Sequence, residues 1–369
     1  MADVAARLVT TLAAPLGHRG QRTVDAPALL HRPGRRLLVQ RGDSETAVVD
    51  LDAEGTPPVR FPAPWPRRFG TCTVAPNGNT AIFAGVHALR AVDSTGAVRW
   101  EVRHGCWDDS CRTLHSTYEE YASDRSHQYA DSGSAGFSPD GSLVWAHVRG
   151  PVPAAGPAPE SVDEWLVIDA ADGRVLDRSD TETAAAGSIH VPHPDPARMG
   201  LSIGEGQDGA PMRWGRWDGE KLSVEQFCDD DRILMSVSPS GKWFLTAGHD
   251  QDRLGVHRVE DGSVLCELST ENVVPRHPGA DPDDLDADAT AWDDACGFLD
   301  ERTVVAGTSE ADEEYGEQRH WLLTTDGARM RVAARITYPF PISGRVTAVG
   351  DGTWYTVSET GDTLHVWSR

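Results

Sequence analysis

The strongest constraint on the fold is a short unit that recurs about every 50 residues. It reads as a strand end, a tight turn and an apolar strand, and its clearest copy is Phe137-Ser138-Pro139-Asp140-Gly141-Ser142-Leu143-Val144-Trp145-Ala146. Proline presets φ at the second turn position, and glycine accepts the positive φ a tight turn needs. The same signal stands at Arg32-Pro33-Gly34-Arg35, Ala75-Pro76-Asn77-Gly78 and Ser238-Pro239-Ser240-Gly241. Weaker copies are Pro194-Asp195-Pro196, Leu299-Asp300-Glu301 and Gly350-Asp351-Gly352. Each leads into an apolar run, such as Ala81-Ile82-Phe83-Ala84 or Trp243-Phe244-Leu245-Thr246-Ala247, which makes seven units.

A second signal follows each run except the last: a strand ending in an acid-and-glycine turn. Examples are Ala91-Val92-Asp93-Ser94-Thr95-Gly96, Val167-Ile168-Asp169-Ala170-Ala171-Asp172-Gly173 and Arg258-Val259-Glu260-Asp261-Gly262. A further strand comes after the turn, so each unit holds four strands. Four-stranded units at this period are what a β-propeller blade requires. The chain resembles the seven-bladed β-propellers of the WD-repeat-like superfamily. The residues that carry the resemblance are 137–145, Arg216-Trp217-Asp218-Gly219, Gly248-His249 and the terminal Leu364-His365-Val366-Trp367-Ser368.

The expected fold class is therefore all-β: a seven-bladed propeller of four-stranded antiparallel blades in one domain. The blades are expected at about 26–61, 70–102, 133–178, 186–226, 232–269, 293–335 and 344–369. The seventh unit ends at Arg369 without a fourth strand, while Arg7-Leu8-Val9-Thr10-Thr11-Leu12 precedes the first complete unit. Residues 7–12 should pair as the outer strand of the last blade and so remove an exposed edge.

Four insertions break the repeat: 103–133, 149–162, 271–293 and 308–318. The resemblance implies that all four project from one face, opposite the Pro-Asp-Gly turns. Long loops in a compact fold are disproportionately functional.

Composition narrows the partner class. There are 57 Asp and Glu against 34 Lys and Arg, a formal charge of −23. Such a field repels a phosphate backbone, which excludes nucleic acid, and attracts cations and basic segments. Between Glu271 and His320 stand 15 acids and three arginines, so the charge is concentrated there. Six cysteines are too sparse for a disulfide scaffold. No apolar stretch approaches membrane-spanning length, and Asp3 stands where a signal peptide needs positive charge. The expectation is a cytoplasmic monomer with no membrane partner.

The excursion 103–133 is the richest in chemistry. Cys106, Cys111, His115 and His127 form a Cys₂His₂ set. The cysteine spacing is close to that of a zinc site, but the histidines lie too far apart for the usual motif. A Cys106–Cys111 disulfide and a plain loop whose aromatics cap the propeller mouth are the other readings. Spacing predicts a short helix over 116–125 with Tyr118, Tyr121 and Arg125 on one face. Asp284-Leu285-Asp286-Ala287-Asp288 resembles the start of a calcium loop, but Ala289 replaces the required glycine and Ala295 the last ligand. An EF-hand is thereby rejected, while looser calcium binding by the acidic loop stays open.

His190, His249 and His257 lie in the fourth and fifth units and read as hydrogen-bonded core groups. No nucleophile elbow, P-loop or dinucleotide fingerprint is present. These observations favour a non-catalytic propeller that recognises a protein or peptide, preferentially basic, on its loop-expanded acidic face. The candidate contact residues are Trp107, Tyr118, Glu119, Tyr121, Arg125, Asp283, Asp284 and Asp286. The alternatives are an enzyme with a metal-assisted or acid/base site at the channel mouth, drawing on His104, the Cys₂His₂ set or the carboxylates of 281–294, and a small-molecule binder. Zinc and calcium are the two cofactors these residues admit.

Overall fold

A computed structural model describes residues 2–17, 24–32, 34–53, 55–108, 110–151, 162–227, 231–271, 273–279, 290–312, 315–316 and 318–369. The described residues form seven sheets; six have four antiparallel strands, and the seventh has four antiparallel strands with a fifth, parallel strand at its edge. Helical structure among them amounts to one α turn, Ser309–Asp312, and four 3₁₀ turns. The all-β, seven-bladed reading is thus met. By internal contacts the chain divides into two compact units. One comprises 1–18, 26–31 and 227–369, the other 19–25 and 32–226.

Blade three, in the second unit, shows why the sequence folds this way. Its strands are Ser134–Phe137, Leu143–Arg149, Asp163–Asp169 and Val175–Asp180. In the first turn the Gly141 amide donates to the Ser138 carbonyl at 2.9 Å, with Gly141 at φ 74°. The Asp140 carboxylate accepts from the Ser138 and Ser142 hydroxyls. The same amide-to-carbonyl closure recurs at Gly78 and Gly241.

The second and third strands are buried on both faces, so they read as nearly continuous apolar runs rather than as alternation. Val144, Ala146, Val148, Leu166 and Ile168 pack with Ile82 and Leu89 of blade two. Trp145 and Trp165 are fully buried with ring centroids 5.4 Å apart. The outer strand is half exposed.

In the first unit, blade seven is closed as expected. Arg7–Ala13 pairs antiparallel with Thr363–Ser368, from Arg7 opposite Ser368 to Ala13 opposite Thr363, with a bulge between Leu8 and Thr10. A further strand extends the closure. Ala2–Ala5 pairs parallel with Met330–Thr337, adding a fifth strand to blade six. Val4 and Ala6 join a core of Leu299, Val305, Leu322, Ile336, Trp354 and Trp367. One N-terminal segment therefore ties blades six and seven together.

Candidate metal centre

Residues 103–133 leave the last strand of blade two, Val98–Arg103, and return to Ser134–Phe137. The start is held by backbone. The amides of His104, Gly105 and Trp107 donate to the carbonyls of His87, Arg149 and Val86 at 2.9–3.0 Å. Gly105 is required here, because a Cβ would lie 2.2 Å from the Gly150 carbonyl oxygen.

From that anchor the chain folds back on itself. The predicted 116–125 helix does not form. Two 3₁₀ turns, Tyr118–Glu120 and Ser126–Tyr129, take its place. Tyr118, Tyr121 and Arg125 consequently do not share a face. Tyr121 is buried, Tyr118 half-buried with its ring 6.0 Å from that of Phe69, and Arg125 exposed. The Tyr121 hydroxyl sits 2.7 Å from His87 Nδ1, and its ring stacks on His127 at 5.0 Å.

This reversal brings Cys106, Cys111, His115 and His127 together. One ligand atom from each lies within 4.8 Å of all the others. Cys106 Sγ is 3.2 Å from His127 Nε2, and Cys111 Sγ is 3.3 Å from His115 Nε2. Cys106, His115 and His127 are buried and Cys111 half-buried. Both cysteines are free thiols, not a disulfide.

The surroundings orient these groups. His115 Nδ1 lies 3.1 Å from Glu120 Oε2, and His127 Nδ1 lies 3.1 Å from Asp124 Oδ2 and 3.0 Å from the Ser126 hydroxyl. A carboxylate can only accept, so each ring places its proton on Nδ1 and turns an Nε2 lone pair toward sulfur. The imidazole of His115 holds the Glu120 carboxyl below its usual range, and the Ser126 amide does the same for Asp124. The amides of Asp108 and Thr113 donate to the two sulfurs at 3.5 and 3.4 Å. Burial pushes the Cys106 thiol up to about 12. Glu120 and Asp124 escaped the sequence reading, although acids five residues after one histidine and three before the other were the available signal.

The remaining candidates are placed as follows. Trp107 is fully buried, with its ring against His147 and the Arg149 guanidinium 5.9 Å above it. Glu119 is exposed. His104 is buried and donates from Nδ1 to the Gly105 carbonyl at 2.7 Å, apart from the four-residue set. Burial lowers it to about 4. His190, half-buried, accepts from Trp165 Nε1 at 2.9 Å and lies 2.8 Å from the Ser134 hydroxyl. His257 is buried beside the Thr246 hydroxyl at 2.9 Å, whereas His249 is exposed. Asp283, Asp284 and Asp286 lie outside the described residues. Of the nearby acids, Asp293 is buried and Asp294 pairs with Arg345.

No family profile matches this chain, and no curated protein sequence matches it. Solved structures do. One is described as the crystal structure of RRP9 WD40 repeats: TM-score 0.58, 9% identity, covering 98% of this chain and 99% of that one. Another is described as the structure of U3-55K: TM-score 0.57, 9% identity, covering 97% and 98%. At that identity the likeness is one of fold alone, that of a seven-bladed β-propeller. No helix among the described residues is long and apolar enough to cross a membrane.

Proposed function

We propose that this propeller is a non-catalytic interaction module and that the excursion 103–133 is its principal recognition element. One observation carries the reading. The longest described departure from the repeat is held in a defined shape, with Trp107 and Tyr121 buried and Arg112, Leu114, Glu119 and Arg125 turned outward. A shaped loop on a rigid frame is where binding residues concentrate. The likeness to WD40-repeat structures supports the class of function by fold analogy. The charge of −23 favours a basic protein segment as partner.

The test is site-specific crosslinking in full-length protein. A photoreactive residue at Glu119 should trap a basic peptide. The same group at Asp172, exposed on the turn after the third strand of blade three, should not. Capture should weaken as salt rises. Equal capture from both positions, or binding that survives replacement of 112–126 by a glycine-serine linker, would sink the reading.

A further inference from the structure

We propose that Cys106, Cys111, His115 and His127 bind one zinc ion in a closed, tetrahedral, structural site. The inference stands whether or not the excursion contacts a partner.

Geometry comes first. With metal–sulfur bonds of about 2.3 Å and metal–nitrogen bonds of about 2.0 Å, a tetrahedron has sulfur–nitrogen edges of roughly 3.5 Å. The two Sγ–Nε2 separations are 3.2 and 3.3 Å, and all four ligand atoms fall within 4.8 Å of one another. Those two edges need to open by only a few tenths of an ångström, and closing the remaining edges onto the ion takes shifts of up to about an ångström.

The second argument is independent of that spacing. Metal-bound imidazoles usually carry their other N–H to a carboxylate, which fixes the tautomer and strengthens the ligand nitrogen. Both histidines do so here, through Glu120 and Asp124. The Glu120 carboxylate is itself held by the Ser116 amide, and that of Asp124 by the Ser126 amide. Each sulfur also receives a backbone N–H, from Asp108 or Thr113, which favours the thiolate that a metal requires.

The donor set selects the ion. Two sulfurs and two imidazole nitrogens suit zinc, whereas calcium and magnesium demand oxygen ligands. Zn²⁺ with two thiolates and two neutral imidazoles carries no net charge, so the buried assembly avoids the cost of an isolated ion. Binding sends the two thiol protons to solvent. All four positions come from the protein and none is left for water or substrate, which makes the site structural rather than catalytic.

The wide histidine spacing is no obstacle. The intervening residues reverse through two 3₁₀ turns, and Tyr121 stacks on the His127 ring. The ion would close the segment from Cys106 to His127 into a loop whose shape no longer depends on packing alone.

The experiment uses full-length protein made without a metal-affinity tag. Elemental analysis should find one zinc per chain. After chelation, added Co²⁺ should give the strong visible absorption of a tetrahedral thiolate–cobalt centre. Cys106→Ser and Cys111→Ser should each abolish stoichiometric zinc. Cys72→Ser, in the first strand of blade two, should keep it. Far-UV circular dichroism of Cys111→Ser, the half-exposed position, guards against misreading a folding defect. The proposal is overturned by any of three results: cobalt producing no such spectrum, zinc unchanged in both variants, or a non-reduced mass that locates a Cys106–Cys111 disulfide.

Discussion

The second strand of blade three, Leu143–Arg149, pairs with neighbours on both sides and is buried almost throughout. In the segment immediately before that blade, the described residues of 104–133 form no named strand and only two 3₁₀ turns. Its shape rests on a few side chains: Trp107 and Tyr121 packed inward, two histidines tied to carboxylates, and two thiols facing those histidines. The blade is over-determined, because ladder and core contacts repeat along every strand and each supports the others. The excursion depends on a handful of polar groups, so changes at those groups need not disturb the frame.

The largest expected effect belongs to the frame. Deleting residues 2–14 removes the closing strand of blade seven and the added strand of blade six together. The loss should be about 5 kcal/mol or more, the scale of a whole domain's stability. Denaturant unfolding measures it, and an unchanged midpoint would show that the closure contributes nothing. Trp145→Ala comes next. A buried aromatic truncated to alanine costs about 3–5 kcal/mol. Protease sensitivity within 103–133 should stay as it was. If that sensitivity changes, the two regions are not separable.

Acid should also act through the frame. Burial lowers His147 and His190 to about 3 and His257 and His320 to about 4, from 6.5. Burial raises Asp163 and Asp293 to about 6, from 3.8. Between pH 4 and 6.5 the unfolded chain binds protons on four imidazoles that the native state leaves neutral. Their contribution to stability therefore rises with pH. The two carboxyls work the other way between pH 4 and 6, since the native state keeps protons that the unfolded state has lost. With His87 and His104, which burial also lowers to about 4, the imidazoles outweigh the two carboxyls. Stability should climb from pH 4 to 6.5 by about 1.4 kcal/mol per pH unit for each proton by which the imidazoles exceed the carboxyls. A flat or falling profile would contradict the burial of these groups.

The smallest expected effect is local to the excursion. Chelation, or Cys106→Ser, should raise proteolytic cutting within 103–133 about tenfold, equivalent to about 1.4 kcal/mol of local opening. The main unfolding midpoint should move far less. A parallel collapse of both would join the regions that the structure separates.

The blades were legible because their signals are local. Pro-Asp-Gly turns, paired runs such as 143–146 and 165–168, and the unmatched segment 7–12 carry their structure within a few residues. The strand Ala2–Ala5 was not legible. It pairs in parallel with a strand more than 300 residues away and has no turn chemistry beside it. The 116–125 helix was a false signal: Tyr121 is drawn into the packing between Phe69, His87 and His127, which outweighs a short stretch of favourable spacing.

For the candidate site the division is sharper. The amino-acid order alone established seven four-stranded units, the place where the repeat is broken, and the presence of two cysteines and two histidines in that break. Strand period and turn chemistry are read over a few residues, so they survive without knowledge of the whole. Only the tertiary structure decided that the four side chains converge, that Glu120 and Asp124 orient the imidazoles, and that Trp107 and Tyr121 face inward. Those contacts depend on how a non-repeating segment reverses against blades two and three, and no sequence period encodes that path.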